Sequence, residues 1–491
     1  VPTDKKSAKE YWDDRLKKVA TFASTDEYLL MNGCDHQPVQ ADLGKAIEVA
    51  SELYPDINFK HSNFPDYIKA IKEKVPNDLA VVKGELTSQD TDGWSTLINC
   101  ASSHIYLKQM NRKCESALEN GAEPVRVLSS VLGQNYPSDE LEYSWKKLMQ
   151  NHPHDSICCC SVDEVQDEMA TRFNKSKQVA DYLVSEGTRY IADKINTKEY
   201  EKYKNALPFV VFNTTGRKRT SVVSVEIDVT RKSGWLKKCA YDLDEINVPN
   251  YKLIDSAGNS IPFKIEDLGV RFGYDLPKDK FRQPYMARRV RVTFEAENIS
   301  AVGYKTYALV EGDAEKVTDT LVSGENCMEN DAIRVEINKN GSLNVTDKAS
   351  GRTYKGVAYY EETGDLGNEY MYKMPEGSKA ITTQDTVAKI ELAEDEPYRA
   401  MYKITNTITV PKSGDDNFED EKRHMVFFKE RVGGRSNDTV EMKIETFVSL
   451  DKNGKGVKIK TRFDNEVKDH RVRIMVPTGI NSDVHKADSV F

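Results

Sequence analysis

The chain has 491 residues, more than one compact core usually supports, so roughly two to four domains are expected. Hydrophobic residues make up 38% and charged residues 30%, which excludes a disordered or fibrous chain, and no apolar run approaches the ~18 residues of a transmembrane helix. The net charge of -9, with lysines scattered among acids rather than gathered in a stripe, argues against nucleic acid as a partner.

The first stretch alternates helical and extended patterns. Trp12, Leu16 and Val19 fall on one helical face, and Glu27 to Gly33 (EYLLMNG) reads as a buried strand ending in a loop. A helix with Leu43, Ile47, Ala50 and Tyr54 on one side is stopped by Pro55. The short extended piece INFKH follows, then a helix with Pro65 in its first turn. This order predicts parallel strands covered by helices, and two such strands make no self-sufficient sheet. Residues 1–83 are therefore expected to be the end portion of a larger α/β domain.

Residues 84–200 are predicted to form a helical bundle. Its long helices are placed around Leu97 to Asn120, Ser138 to Asn151 and Ser161 to Lys194. Val165, Met169, Phe173, Val179, Leu183 and Ile191 stripe the last of these, and Ser161 with Glu164 reads as a capping box. After Pro208 the period switches to two. FVVFN, SVVSVEIDV, RVRVTFEA, AIRVEIN, SLNVTD, YKITNTITV and VKIKTRFD predict strands, with turns at Asn340-Gly341 and Asn453-Gly454. Residues 207–491 are expected to be an antiparallel, sandwich-like region, which ends at HKADSVF without a closing element.

The eight cysteines are irregularly spaced, and three stand in succession at Cys158 to Cys160. That pattern suits a reducing compartment better than a disulfide framework. From that cysteine pattern a cytoplasmic location is expected; the first residues carry charge where a signal peptide has its apolar region.

Two segments concentrate chemistry. NHPHDSICCCSVDEV (Asn151 to Val165) places His152, His154, Asp155 and three thiols beside a helix start, and imidazole and carboxylate are zinc-ligand types. The structural alternative has His154 and Asp155 making loop hydrogen bonds while the thiols pack as small apolar groups. LLMNGCDHQPVQ (Leu29 to Gln40) delivers Asp35 and His36 to the C-terminal end of a predicted strand, where α/β domains place their chemistry. There a carboxyl serves as general acid or base, or simply caps the next helix. His470, between charged neighbours, reads as a turn or ion-pair residue. Trp94, Trp145 and Trp235 stack on sugars or pack in cores. No GxGxxG or Walker pattern occurs.

In the order NGCDHQP, SSHIYLKQMNRKCESALE, HPHDSICCCSVDEV, VFNTTGRKRT, NGSLNVTDKASGRTYKG and DNEVKDHRVR, these segments resemble glycoside hydrolase family 38, the α-mannosidases of bacterial type. The resemblance covers essentially the whole chain. It implies a multidomain protein built from the C-terminal part of a parallel α/β barrel, a helical bundle and antiparallel β-sandwiches. It further implies a retaining glycosidase acting on mannose-containing oligosaccharides with a zinc ion at the floor of the sugar site. On that resemblance His154 is a metal ligand, Asp155 a substrate-binding residue and Asp35 the general acid/base, while the nucleophile and remaining zinc ligands are expected N-terminal to Val1. The alternative is a non-catalytic carbohydrate-binding or inert folded fragment. Oligomeric state stays open, a homodimer through exposed bundle faces being one arrangement. Two residues depart from the family's pattern: Cys159 stands where Gly is common, and His104 where Arg is usual. If that glycine has a positive φ, a cysteine there is strained.

Overall fold

The computed structural model describes every residue except 35, 80, 82–97, 316–317 and 483–491. The chain divides into two compact units, Val1–Ser88 and Gln89–Phe491. Asp35, Trp94 and all of the terminal HKADSVF lie outside the described residues.

The first unit contains α1 (Lys5–Phe22), α2 (Leu43–Leu53) and α3 (Phe64–Lys72). Asp4 caps α1 by accepting from the Ser7 amide, and Asn63 caps α3 ahead of Pro65 in the same way through Asp66. Ala8 and Trp12 from α1 pack on Val49 and Ala50 from α2, with Leu16, Leu30 and Phe59 around them. The two segments predicted as strands, Glu27–Gly33 and INFKH, form no ladder among the described residues. The physical reason is plain: a strand's backbone groups need neighbours, and neither segment meets one here. The apolar residues of those segments still serve packing, since Leu30 packs on this cluster and Phe59 lies against Trp12.

The second unit opens with a helical bundle. After a 3-10 turn at Ile98–Ala101, α4 (Ile105–Ala117) runs through a π turn (Leu118–Ala122) into α5 (Glu123–Val131). α6 (Ser138–Met149), the short α7 (His154–Cys158) and the thirty-residue α8 (Asp163–Ala192) follow. The buried positions of α8 are 166, 169, 173, 176, 180, 183, 187 and 191, steps of three and four that keep one face inward. Against them pack Leu107, Cys114 and Leu118 from one side and Leu141 and Leu148 from the other. Each such fully buried Leu or Phe is worth about 1.5–3 kcal/mol relative to exposure. Ser144 and Ser176 let α6 and α8 approach, their hydroxyls 3.1 Å apart.

The predicted capping box at Ser161 does not form. The N-cap of α8 is Val162, with no side-chain bond, and the Ser161 hydroxyl instead accepts from the Gln166 amide at 2.8 Å. A buried glutamine on the inward face competes for that oxygen and takes it.

Every strand pair in the remainder is antiparallel. The first sandwich sets a sheet of Leu207–Asn213, Gly303–Glu311, Tyr251–Asp255 and Ser260–Ile261 against a sheet of Arg219–Lys232, Gln283–Ile299 and Phe263–Asp275. Leu253, Tyr307 and Leu309 from one sheet meet Val290, Val292 and Phe294 from the other. A helix, α9 (Leu236–Asp244), crosses outside it.

The second sandwich packs a five-stranded sheet, including Ile333–Ile337 and Leu343–Asp347, on a four-stranded sheet built around Arg399–Pro411 and Thr439–Asp451. Met328, Val335 and Leu343 face Ala400, Ile404 and Val448 across that core. The turn at Asn340-Gly341 needs glycine twice over: φ is +84°, and a Cβ would sit 2.7 Å from Ile404 Cγ2. A third sheet, with Tyr359–Gly364 beside His470–Met475, covers the far end of the long hairpin through Tyr360, Val410 and Ile444. The last helix, α10 (Asp416–Arg423), is capped by Asp415.

Candidate functional site

α7 and its flanks form a tight turn between α6 and α8. The amides of Ser156 and Ile157 donate to the Pro153 carbonyl, and those of Cys159 and Cys160 return to Ser156 and Asp155. Cys159 closes the helix with φ 65° and ψ 37°, the left-handed geometry that favours glycine. Its thiol is buried and lies 3.0 Å from Lys108 Nζ, which also donates to the Ser103 carbonyl at 2.6 Å. The strain that a cysteine brings is therefore present, and packing against the bundle core accompanies it.

The two histidines of the segment separate. His152 Nε2 is 2.8 Å from Asn111 Oδ1, so one ring nitrogen is taken up by the bundle. His154 points outward, its side chain 87% exposed, with Nε2 3.3 Å from Asp155 Oδ1. Among the described residues that ring meets its neighbour's carboxylate, and both groups are exposed and open to a ligand. Cys160 lies under them, its thiol 3.7 Å from Asp155 Oδ1.

A β-domain loop that the sequence did not single out meets this turn. Residues 365–373 (DLGNEYMYK) leave the strand Tyr359–Gly364, and Tyr370 reaches Cys160. A hydrogen bond to Cys160, together with burial, pushes the Tyr370 phenol well above its usual range. Burial and the neighbouring Cys158 push the Cys100 thiol up to about 12, which keeps it a neutral packing group. The loop is held firmly. Asp365 accepts from the amides of Gly367 (2.8 Å) and Lys373 (3.0 Å) and from Asn99 Nδ2 (3.2 Å). Burial raises its pKa in spite of these donors. Arg431 bonds the carbonyls of Leu366 and Gly367, and the Asn99 amide donates to the Tyr370 carbonyl. Nothing in its periodicity marks this loop; the aromatic-rich run between two strands was the one signal available.

Among the described residues no group of three His, Cys, Asp or Glu is placed to hold a metal ion. His154 suits a single ligand position, being exposed and without a backbone bond. The successive thiols do not, since Cys159 is buried against Lys108 and Cys160 is turned to Asp155 and Tyr370.

The other residues weighed in the sequence are structural. His470 Nδ1 lies 3.3 Å from Glu362 Oε1 and its Nε2 2.8 Å from Asn465. Arg435 forms a two-pronged pair with the same glutamate, which is fully buried. Burial opposes ionisation of Glu362, but His470 and Arg435 outweigh it and hold the carboxyl below its usual range. Trp145 packs in the bundle and donates to Glu123 at 2.6 Å, while Trp235 is exposed.

Comparison with known proteins agrees with this organisation. Residues 95–191 match the family described as the alpha mannosidase middle domain, and residues 204–311 match the glycosyl hydrolases family 38 C-terminal domain 1. A protein of Halalkalibacterium halodurans, provisionally named a mannosylglycerate hydrolase, is 40% identical over all of this chain and 55% of its own length. An alpha-mannosidase from Enterococcus faecalis V583 superimposes with a TM-score of 0.86 at 41% identity, over the whole of this chain and 56% of that one. A second Enterococcus faecalis structure, of a protein in glycosyl hydrolase family 38, gives 0.80 at 38% identity, with the same coverage. The chain thus spans a little over half the length of these relatives. With its bundle matching the middle domain, its first sandwich matching the C-terminal domain, and the whole chain aligned to both structures, it belongs to glycosyl hydrolases family 38.

Proposed function

We propose that the protein of which this chain is part is a zinc-dependent, retaining α-mannosidase that removes terminal mannose from oligosaccharides. The observation carrying this reading is the exposed His154–Asp155 pair, presented on α7 of the matched middle domain with Tyr370 beside it. Residues 1–83 are read as the C-terminal part of the α/β barrel, 84–200 as the bundle carrying the metal-proximal turn, and 207–491 as the β region. The protein is expected in the cytoplasm.

A retaining hydrolase needs two carboxyls about 5 Å apart, one as nucleophile and one as acid and then base. Asp35 takes the second role in this reading, protonated for glycosidic cleavage and ionised for attack by water, so its pKa must lie near the working pH. The nucleophile and the remaining ligands belong to residues N-terminal to Val1. His154 supplies an imidazole ligand, and Asp155 accepts hydrogen bonds from the hydroxyls of the bound mannose. Zinc, when bound, supplies a template for adjacent sugar hydroxyls.

The name of the H. halodurans relative favours a second reading of the aglycone, a glycerate in place of another sugar. Both readings share the mannosyl bond. Metal content of the protein extended through its upstream coding sequence tests the site. We expect about one zinc per chain, lost in His154→Ala and kept in His152→Ala, because Asn111 already holds the His152 ring. Zinc retained with full turnover in His154→Ala contradicts the assignment.

A further inference from the structure

Where the first sandwich meets the second, two cavities adjoin. One of about 540 Å³ is lined by Glu295, Glu297, Tyr304 and Tyr398. The other, about 460 Å³, shares Pro397 and Lys452 with it, so the two form one elongated crevice along the turn at Pro397–Tyr398. The junction is built rather than incidental: Asn453 Nδ2 donates to Glu295 at 2.8 Å, and Lys264 pairs with Glu396 across it at 3.6 Å.

Two groups here exceed the needs of packing. Tyr398 is 2% exposed, and its hydroxyl has no hydrogen-bond partner among the described residues. A buried polar group left unpaired costs about 1–3 kcal/mol. Glu295 is 7% exposed on the same wall, and burial pushes its carboxyl up, though Asn453 partly offsets this. Nearer the mouth, Glu297 and Tyr304 are exposed, one an acceptor and the other an aromatic face.

The chemistry narrows the ligand. With the smaller cavity included, six carboxylates face three lysines along the crevice, so an anionic ligand is disfavoured. A cation site is disfavoured as well, since the carboxylates do not converge as ligands among the described residues. Hydroxyl groups that both donate and accept satisfy carboxylates, ammoniums and a tyrosine hydroxyl together, and a tyrosine ring stacks on a sugar face. The volume falls within the ~300–1,000 Å³ typical of small-ligand sites.

We propose that this crevice is a second saccharide-binding site, taking a short neutral oligosaccharide. Choosing a saccharide among polyhydroxylated ligands rests on the hydrolase reading above. The crevice shares no residue with the α7 turn.

Ligand-observed NMR titration of the 491-residue chain with mannotriose, and separately with maltotriose, tests it. Saturable binding of either sugar is expected, about tenfold weaker in Tyr304→Ala and in Glu297→Ala, with maltotriose binding unchanged in Asp155→Ala. Both crevice residues are exposed, so the variants should keep the wild-type melting temperature. Absence of binding by both sugars overturns the proposal. So does binding that ignores the crevice variants, or maltotriose binding that disappears in Asp155→Ala. Failure of the hydrolase reading looks different: an extended protein that turns over no mannoside while the crevice still binds sugar.

Discussion

Cys159 occupies the one position of the α7 turn where the backbone itself excludes most side chains. Its φ of 65° costs a non-glycine residue of order 1 kcal/mol or more, and the buried thiol beside Lys108 offsets part of that cost. A β-branched side chain tolerates this geometry least. Cys159→Val should lower stability by about 1–3 kcal/mol in urea denaturation, and an unchanged midpoint would show that the turn relaxes freely. Glu362 gives a second residue-scale expectation. Its folded pKa is depressed, so the stability it contributes is present above the unfolded carboxyl value of about 4.3 and is lost as pH falls through the lower folded value. Glu362→Gln should therefore cost about 3–5 kcal/mol at neutral pH, because Arg435 is left buried without its counter-ion. It should also flatten the acid limb of the stability profile. An acid limb identical to wild type would contradict the pairing. At this scale the sequence revealed which groups were chemically capable but not which were engaged. His152 and His154 are two residues apart and equivalent in composition, and only the approach of Asn111 from α4 distinguishes them.

Among the elements, α8 shows how far periodicity carries. Met169, Phe173, Leu183 and Ile191 announce the buried face, but Gln166, Ser176 and Gly187 complete it and look polar or neutral in sequence. Val179, in the predicted stripe, is only partly buried, and Ala180 takes the inner place. Gly187 is where helix propensity and packing conflict. Alanine is favoured over glycine by about 1 kcal/mol inside a helix, yet its Cβ would meet Val125 Cγ1 at 2.6 Å and Arg126 Cδ at 3.1 Å. Overpacking of that kind costs about 1–3 kcal/mol, so Gly187→Ala should destabilise, and Val125→Ala combined with it should recover part of the loss. A stabilised single variant would mean that α5 yields readily. The strands that alternate cleanly, such as AIRVEIN and YKITNTITV, lie where their period places them. Phe263–Asp275 was not legible, because it runs beside Gln283–Ile299 as a long hairpin whose outer positions are charged or exposed. The loop at 365–373 was illegible for another reason: its hold on Tyr370 comes from Asn99 and Arg431, far away in sequence.

For the whole molecule, the change of period near Pro208 marks the passage from bundle to sandwich, and it was visible because packing imposes different repeats on helices and sheets. The first unit was less legible, since apolar runs such as EYLLMNG fit a strand or a packed loop equally until neighbours are known. The reach of the candidate site was also hidden, as α7 and the 365–373 loop are two hundred residues apart and meet only in the fold. Within this unit the site supplies one exposed imidazole, one exposed carboxylate and a phenol, too few for a retaining glycosidase with its metal. The central claim is that they serve a mannoside site completed by residues N-terminal to Val1. Its most direct test is steady-state hydrolysis of an aryl α-mannoside with added zinc, run on this chain beside one extended through its upstream coding sequence. Turnover by the extended protein alone, abolished in Asp35→Ala and in His154→Ala, is the predicted result; turnover by the 491-residue chain alone, or by neither, would contradict it.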